Sequence, residues 1–117
     1  MDLVTEDGFR ERLNLITSNI NHKIYLAVKD TEVIATLTLL IEPKFIHEFG
    51  STGHIEDVVV LNQERGQGLG KILVDHAVTE ARRLGCYKII LDCNDANIGF
   101  YERSGFKVKE RQMVLYL

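Results

Sequence analysis

The chain has 117 residues, with 14 basic and 17 acidic side chains and a formal charge of −3. That is one domain around one core, without the basic face of a general nucleic-acid binder. No apolar run is long enough to span a bilayer, and Met1 to Glu6 lacks the basic-then-apolar order of a secretion signal, so a cytoplasmic setting with no membrane and no nucleic-acid partner is expected.

Thr5 and Asp7 offer helix caps, and Phe9, Leu13, Ile16 and Ile20 recur behind them at helical spacing. His22 to Lys29 alternates around Ile24, Leu26 and Val28, Asp30 to Glu32 supplies a turn, and Val33 to Ile41 is rich in β-branched residues, which predicts an antiparallel hairpin. Pro43 ends the second strand, and a polar loop from Lys44 to Gly53 follows. His54 to Leu61 is the next strand, central in the sheet, with Val58 to Leu61 apolar enough for burial on both faces.

Leu69 to Leu84 carries a helical apolar stripe closed by Gly85, and Tyr87 to Cys93 is a second buried strand, so the pair is a parallel right-handed crossover. Asp95 caps a short helix through Asn97, Phe100 and Tyr101, Gly105 closes it, and Phe106 to Leu117 is expected to return as a last strand. The fold class is therefore α/β, a mixed sheet with an antiparallel N-terminal half and a β-α-β-α-β C-terminal half. Cys86 and Cys93, without a His or Cys cluster, make neither a disulfide framework nor a zinc site. Both are expected reduced, with Cys93 in the role of a small buried apolar residue.

Arg65-Gly66-Gln67-Gly68-Leu69-Gly70-Lys71 joins the central strand to the long helix. Glycines at alternate positions let the backbone turn sharply and approach a ligand, and the helix start leaves N–H groups pointing outward. With Arg65 and Lys71 beside the helix dipole, the guest that fits is a phosphate or pyrophosphate. The segment is neither a Walker A loop nor a dinucleotide fingerprint. Acids stand at the ends of the two central strands: Glu56 and Asp57 on one, Asp92 with Asn94 and Asn97 on the other. Adjacent strand residues face opposite ways, so Glu56 and Asp57 share a cleft only if a bulge intervenes.

The segments Gly53 to Val60, Arg65 to Lys71, Gly85 to Cys93 and Asn97 to Phe106 closely resemble the glucosamine 6-phosphate N-acetyltransferases, a family of the GCN5-related N-acetyltransferase superfamily. The resemblance runs from about Glu42 through Met113. It implies an enzyme that moves the acetyl group of acetyl-CoA to the amine of glucosamine 6-phosphate by direct attack in a ternary complex, a step towards UDP-GlcNAc, with no metal. It makes the backbone of Gly66 to Lys71 the pyrophosphate site, and Val58, Val59 and Val60 a strand-like partner for the pantetheine arm that also polarises the thioester carbonyl. Asn97 bonds the same arm, and Tyr101 serves the leaving thiolate. On the acceptor side it implies Glu56, Asp57 and Asp92 around the amino sugar, and Lys44 and His47 on a loop that reaches its phosphate. Either Glu56 or Asp92 is then the base. It also implies a homodimer with active sites near the interface.

Two departures stand out. The family begins with an additional strand and helix before the region matching Thr5, and where it places a phosphate-binding arginine near the C-terminus, supplied across the dimer, this chain has Tyr116. Arg111 and Lys44 are the cations available to replace it. Two other functions therefore remain open: an acetyltransferase of the same fold acting on another small amine, and a non-catalytic CoA-binding module.

Overall fold

The computed structural model describes residues 4–117; residues 1–3, part of the stretch read above for a secretion signal, lie outside that description. The elements are α1 (Glu6–Thr17), β1 (His22–Lys29), β2 (Glu32–Pro43), α2 (Ile46–Phe49), β3 (Ser51–Val60), α3 (Leu69–Arg83), β4 (Cys86–Ile90) and α4 (Ile98–Glu102). Short 3-10 turns fall at Asn62–Glu64 and Asp95–Asn97. The sheet order is β1-β2-β3-β4, antiparallel through β3, with β4 parallel to β3 after the α3 crossover. This is the mixed α/β architecture expected.

Local chemistry explains the first half. Thr5 caps α1, its Oγ1 accepting from the Gly8 N–H at 3.0 Å. Lys29 pairs with Glu32 across a two-residue loop, Asp30 and Thr31, both at positive φ (52° and 79°), as a type I′ hairpin turn requires. One face of the sheet packs on α3: Leu73, Val74, Ala77 and Ala81 meet Leu37, Leu39, Ile41 and Ile55. Leu37 and Leu39 are 0% exposed, and each burial contributes about 1.5–3 kcal/mol.

Sequence and structure part at several places. Strand β3 begins at Ser51 rather than His54, because Thr52 and Gly53 already pair with Glu42 and Ile41 on one side and with Lys88 and Ile89 on the other. Strand β4 stops at Ile90 rather than Cys93. Val59, expected inside, is 53% exposed, since β4 has left β3 by that point. Asp95 caps nothing: Asn94 and Asn97 occupy the N-cap positions, neither with a side-chain bond. The predicted last strand, Phe106–Leu117, does not form. A strand needs a ladder partner, and an open cleft separates this segment from the edge of β4.

The loop between β2 and β3 is more ordered than its polar composition suggests. Within α2, His47 (φ 51°, ψ 48°) and Glu48 (φ 57°, ψ 46°) are left-handed, and Phe49 follows at φ 62°. Each such residue costs roughly 1–2 kcal/mol. Gly50 closes the turn, donating to the carbonyls of Ile46 and His47 at 3.1 Å, and the His47 ring stacks on Tyr87 at 3.9 Å.

Candidate active site

The site is set by where two parallel strands separate. Strands β3 and β4 pair only from Ser51 with Cys86 to His54 with Ile90, so Ile55 to Val60 have no partner on the β4 side. That leaves a wedge edged by backbone N–H and C=O groups with no ladder partner, which an extended ligand arm can join as a further strand. Val58, Val59 and Val60 lie on this edge.

The bulge required for Glu56 and Asp57 is present. Thr36 pairs with Val59 and Thr38 with Glu56, so β3 carries an extra residue at this point, and Asp57 takes φ 51°. Ile55 is buried while Glu56 and Asp57 are both exposed, so the bulge turns two consecutive acids out of the core.

At the end of β3 the chain enters the glycine segment. Gly66 (φ 84°) and Gly68 (φ 80°) are left-handed, and a Cβ on either would meet nothing within 4 Å, so turn geometry and room for a guest both explain glycine there. Gly68 caps α3 with no side-chain bond, and no acid lies in the first turn, which leaves the helix-start N–H groups to an anion. The flanking cations are partly engaged: Arg65 Nε donates to the Val60 carbonyl at 3.2 Å, and Lys71 Nζ lies 2.6 Å from Asp75 Oδ2. Lys71, with a smaller contribution from a Ser104 hydrogen bond, holds the Asp75 carboxyl below its usual range.

Helix α4 supplies the other wall. Tyr101 is half-buried, its ring edge-on to Phe100 at 4.9 Å and to Phe106 at 6.1 Å. Burial, and secondarily the negative charge of a Cys93 thiolate, push its pKa above the ordinary value. A phenol is protonated at neutral pH in any case, so it can donate. Asn97 is exposed at the start of α4. Asp92 is exposed just past β4, and its Oδ2 accepts from Gln112 Nε2 at 3.0 Å. Asp92, Cys93, Asn94 and Tyr101 also line a cleft of about 1370 Å³ between β4 and the C-terminal segment, with Phe106 and Gln112 opposite.

The other expected residues lie away from the glycine segment. Lys44 and His47 lie by the start of β3, at the opposite end from the glycine segment. Lys44 Nζ is 3.2 Å from Glu42 Oε2, and Glu42 Oε1 is 2.9 Å from His54 Nε2, which places Lys44 in an ion cluster. His47 is taken up by Tyr87. Tyr116 is 88% exposed at the chain's end. Cys93, expected buried, is exposed; Cys86 is half-buried and desolvation raises its pKa. Gln112 was missed, since a lone Gln in a strand-like stretch carries no sequence signal of a contact twenty positions away.

A parallel crossover whose strands splay above a glycine-rich helix start defines an acyl-CoA-type transferase fold, and the chain belongs to the acetyltransferase (GNAT) family, whose sequence model matches residues 3–106. Within it, the chain is 41% identical to glucosamine 6-phosphate N-acetyltransferase 1 of Dictyostelium discoideum, over 97% of this chain and 74% of that protein. It is 40% identical to the glucosamine 6-phosphate N-acetyltransferase of Candida albicans, over 95% of this chain and 76% of the relative. The crystal structure of the Arabidopsis thaliana glucosamine-6-phosphate N-acetyltransferase superposes with a TM-score of 0.94 at 39% identity, over 99% of this chain and 81% of that one.

Proposed function

We propose that this chain transfers the acetyl group of acetyl-CoA to the amine of D-glucosamine 6-phosphate, giving N-acetylglucosamine 6-phosphate and CoA. The carrying observation is the unpaired β3 edge from Ile55 to Val60, which leads into the glycine segment. The residues present fit the donor: the backbone of Val58 to Val60 suits its extended amide arm, and the open space at Gly66 and Gly68 suits its pyrophosphate. Arg65, Gln67, Leu69, Gly70 and Lys71 complete that binding segment, with Asn97 on the arm. When bound, the donor supplies a thioester acetyl group and a thiol leaving group.

The protein's part is placement and proton handling. An N–H of the free β3 edge polarises the carbonyl, and Tyr101, protonated at neutral pH as any phenol is, donates to the departing sulfur. A sugar amine resembles an α-amine in basicity, with a pKa of about 7.7, so a carboxylate or water suffices to take its proton. Glu56 or Asp92 takes that role, with Asp57 beside them on the acceptor. Lys44 and His47 serve the phosphate end. Tyr116 approaches it from a second copy in a homodimer, the arrangement favoured by an exposed apolar C-terminus. A cytoplasmic setting accords with the absence, among the described residues, of any helix long and apolar enough to cross a membrane.

One observation favours a second reading. Lys44 is already paired with Glu42, which reduces the charge available to a sugar phosphate and leaves an unphosphorylated amine as the alternative acceptor. Thiol release from acetyl-CoA with glucosamine 6-phosphate against glucosamine separates the two. Preference for the phosphorylated sugar is expected, and the reverse order overturns the first reading.

A further inference from the structure

The C-terminal segment contributes little regular structure, yet it returns to the site at one point. Gln112 Nε2 donates to Asp92 Oδ2 at 3.0 Å, joining residues twenty positions apart, and both line the cleft that Tyr101 also faces. From the geometry we infer that Gln112 is a positioning residue: its amide fixes one oxygen of Asp92, so that the other is presented to the acceptor amine. The inference rests on the reading of Asp92 as an acceptor-side group.

The chemistry suits that role. A carboxylate on a short exposed side chain turns freely, and a neutral donor on one oxygen restrains it without cancelling its charge, as Lys or Arg would. Gln can donate in this way, whereas Glu, of the same length and shape, cannot and would repel Asp92.

The test measures KM for glucosamine 6-phosphate and for acetyl-CoA separately in Gln112→Ala, Gln112→Glu, Asp92→Asn and the Asp92→Asn/Gln112→Ala double variant. Gln112 is exposed, so its loss leaves the folded state in place, which a thermal melt verifies. The expected result is an acceptor KM raised about tenfold by either Gln112 change, the size of one lost hydrogen bond to a charged group, with the acetyl-CoA KM unchanged. In the Asp92→Asn background Gln112→Ala should add nothing further. If Asp92→Asn impairs the acceptor but Gln112→Ala does not, or if the Gln112 effect persists in full without Asp92, the inference is overturned and the reading of Asp92 stands. If Asp92→Asn itself behaves as wild type, both fall together.

Discussion

A methyl group on Gly70 would stand 3.0 Å from Phe100 Cζ and 3.3 Å from its Cε2, so the first turn of α3 and the helix carrying Tyr101 meet at a position that only hydrogen fills. Alanine there gains about 1 kcal/mol of helix propensity but overpacks at a cost of about 1–3 kcal/mol. Because Phe100 lies edge-on to Tyr101, the displaced ring moves the phenol. Gly70→Ala should therefore change the melting temperature by only a few degrees while lowering kcat at least tenfold. An unchanged kcat would show that the two helices are not coupled through this contact.

Tyr101→Phe removes the hydroxyl and leaves the packing with Phe100 and Phe106. If the hydroxyl serves the leaving sulfur as proposed, an interaction made mainly in the transition state is lost, so kcat should fall by roughly ten- to a hundredfold with little change in either KM. Steady-state kinetics with both substrates varied decides it, and a loss confined to KM counts against a role at the leaving sulfur.

How much of this was legible in advance depended on whether the cause was local. The β1–β2 hairpin was readable because the turn residues Asp30 and Thr31 act within a few positions; the alternation in His22 to Lys29 marked a strand but not its face, since Ile24, Leu26 and Val28 are exposed while Tyr25 and Ala27 pack on the core. So was the glycine segment, where backbone freedom is written in the residue type. The bulge at Glu56 and Asp57 could be stated as a requirement, since side-chain alternation is strict. Phe106–Leu117 misled because the apolar run from Met113 to Leu117 reports a preference for burial and says nothing of a partner. Val59 misled for the same reason: its exposure follows from where β4 diverges, a tertiary fact.

At the hairpin turn, Thr31 is a β-branched residue held at φ 79°. Glycine adopts that conformation without strain, and Asp-Gly is a preferred pair for a type I′ turn. Thr31→Gly should stabilise the fold by about 0.5–1 kcal/mol, after the loss of unfolded-chain entropy is set against the relieved strain. Chemical denaturation gives the value, and destabilisation would mean that the turn is not of this type.

Stability should fall at both ends of the pH scale. Burial raises the pKa of Tyr25 and of Tyr101, so above the ordinary tyrosine value of about 10 the unfolded chain releases protons that the folded one retains, and stability drops as pH rises through the folded values. On the acid side, a hydrogen bond from His54 lowers the pKa of Glu42, one from Lys71 that of Asp75 and one from Arg83 that of Glu80. Their contribution is present above the unfolded carboxylate values and is lost as pH falls through the folded ones. Asp75 is exposed and Glu42 and Glu80 are only partly buried, so the acid slope should be shallow and weakened by salt. Melting curves from pH 3 to pH 11 test both limbs, and replacing both tyrosines by Phe should make the alkaline one shallower, leaving the part that Cys86, also raised by burial, contributes.

The oligomeric state bears on the acceptor side. Met113 (94% exposed) and Leu115 (82%) stand in solvent with Val114 and Leu117, at the end of a segment that forms no ladder. Among the described residues strand β4 pairs with β3 alone, so its outer edge offers unsatisfied backbone groups along the cleft. An apolar strand-like end and an open sheet edge on one small domain invite aggregation unless another chain covers them. Two-fold pairing would cover both features in each copy and, in the proposed arrangement, would bring Tyr116 towards the partner's acceptor pocket. There its hydroxyl can bond a phosphate oxygen but brings no charge, so Tyr116→Arg should lower the KM for glucosamine 6-phosphate several-fold and leave that for acetyl-CoA unchanged. Sedimentation at micromolar concentration should give a dimer, and a chain ending at Gln112 should sediment as a monomer with weakened acceptor binding. A full-length monomer with undiminished activity would overturn this arrangement.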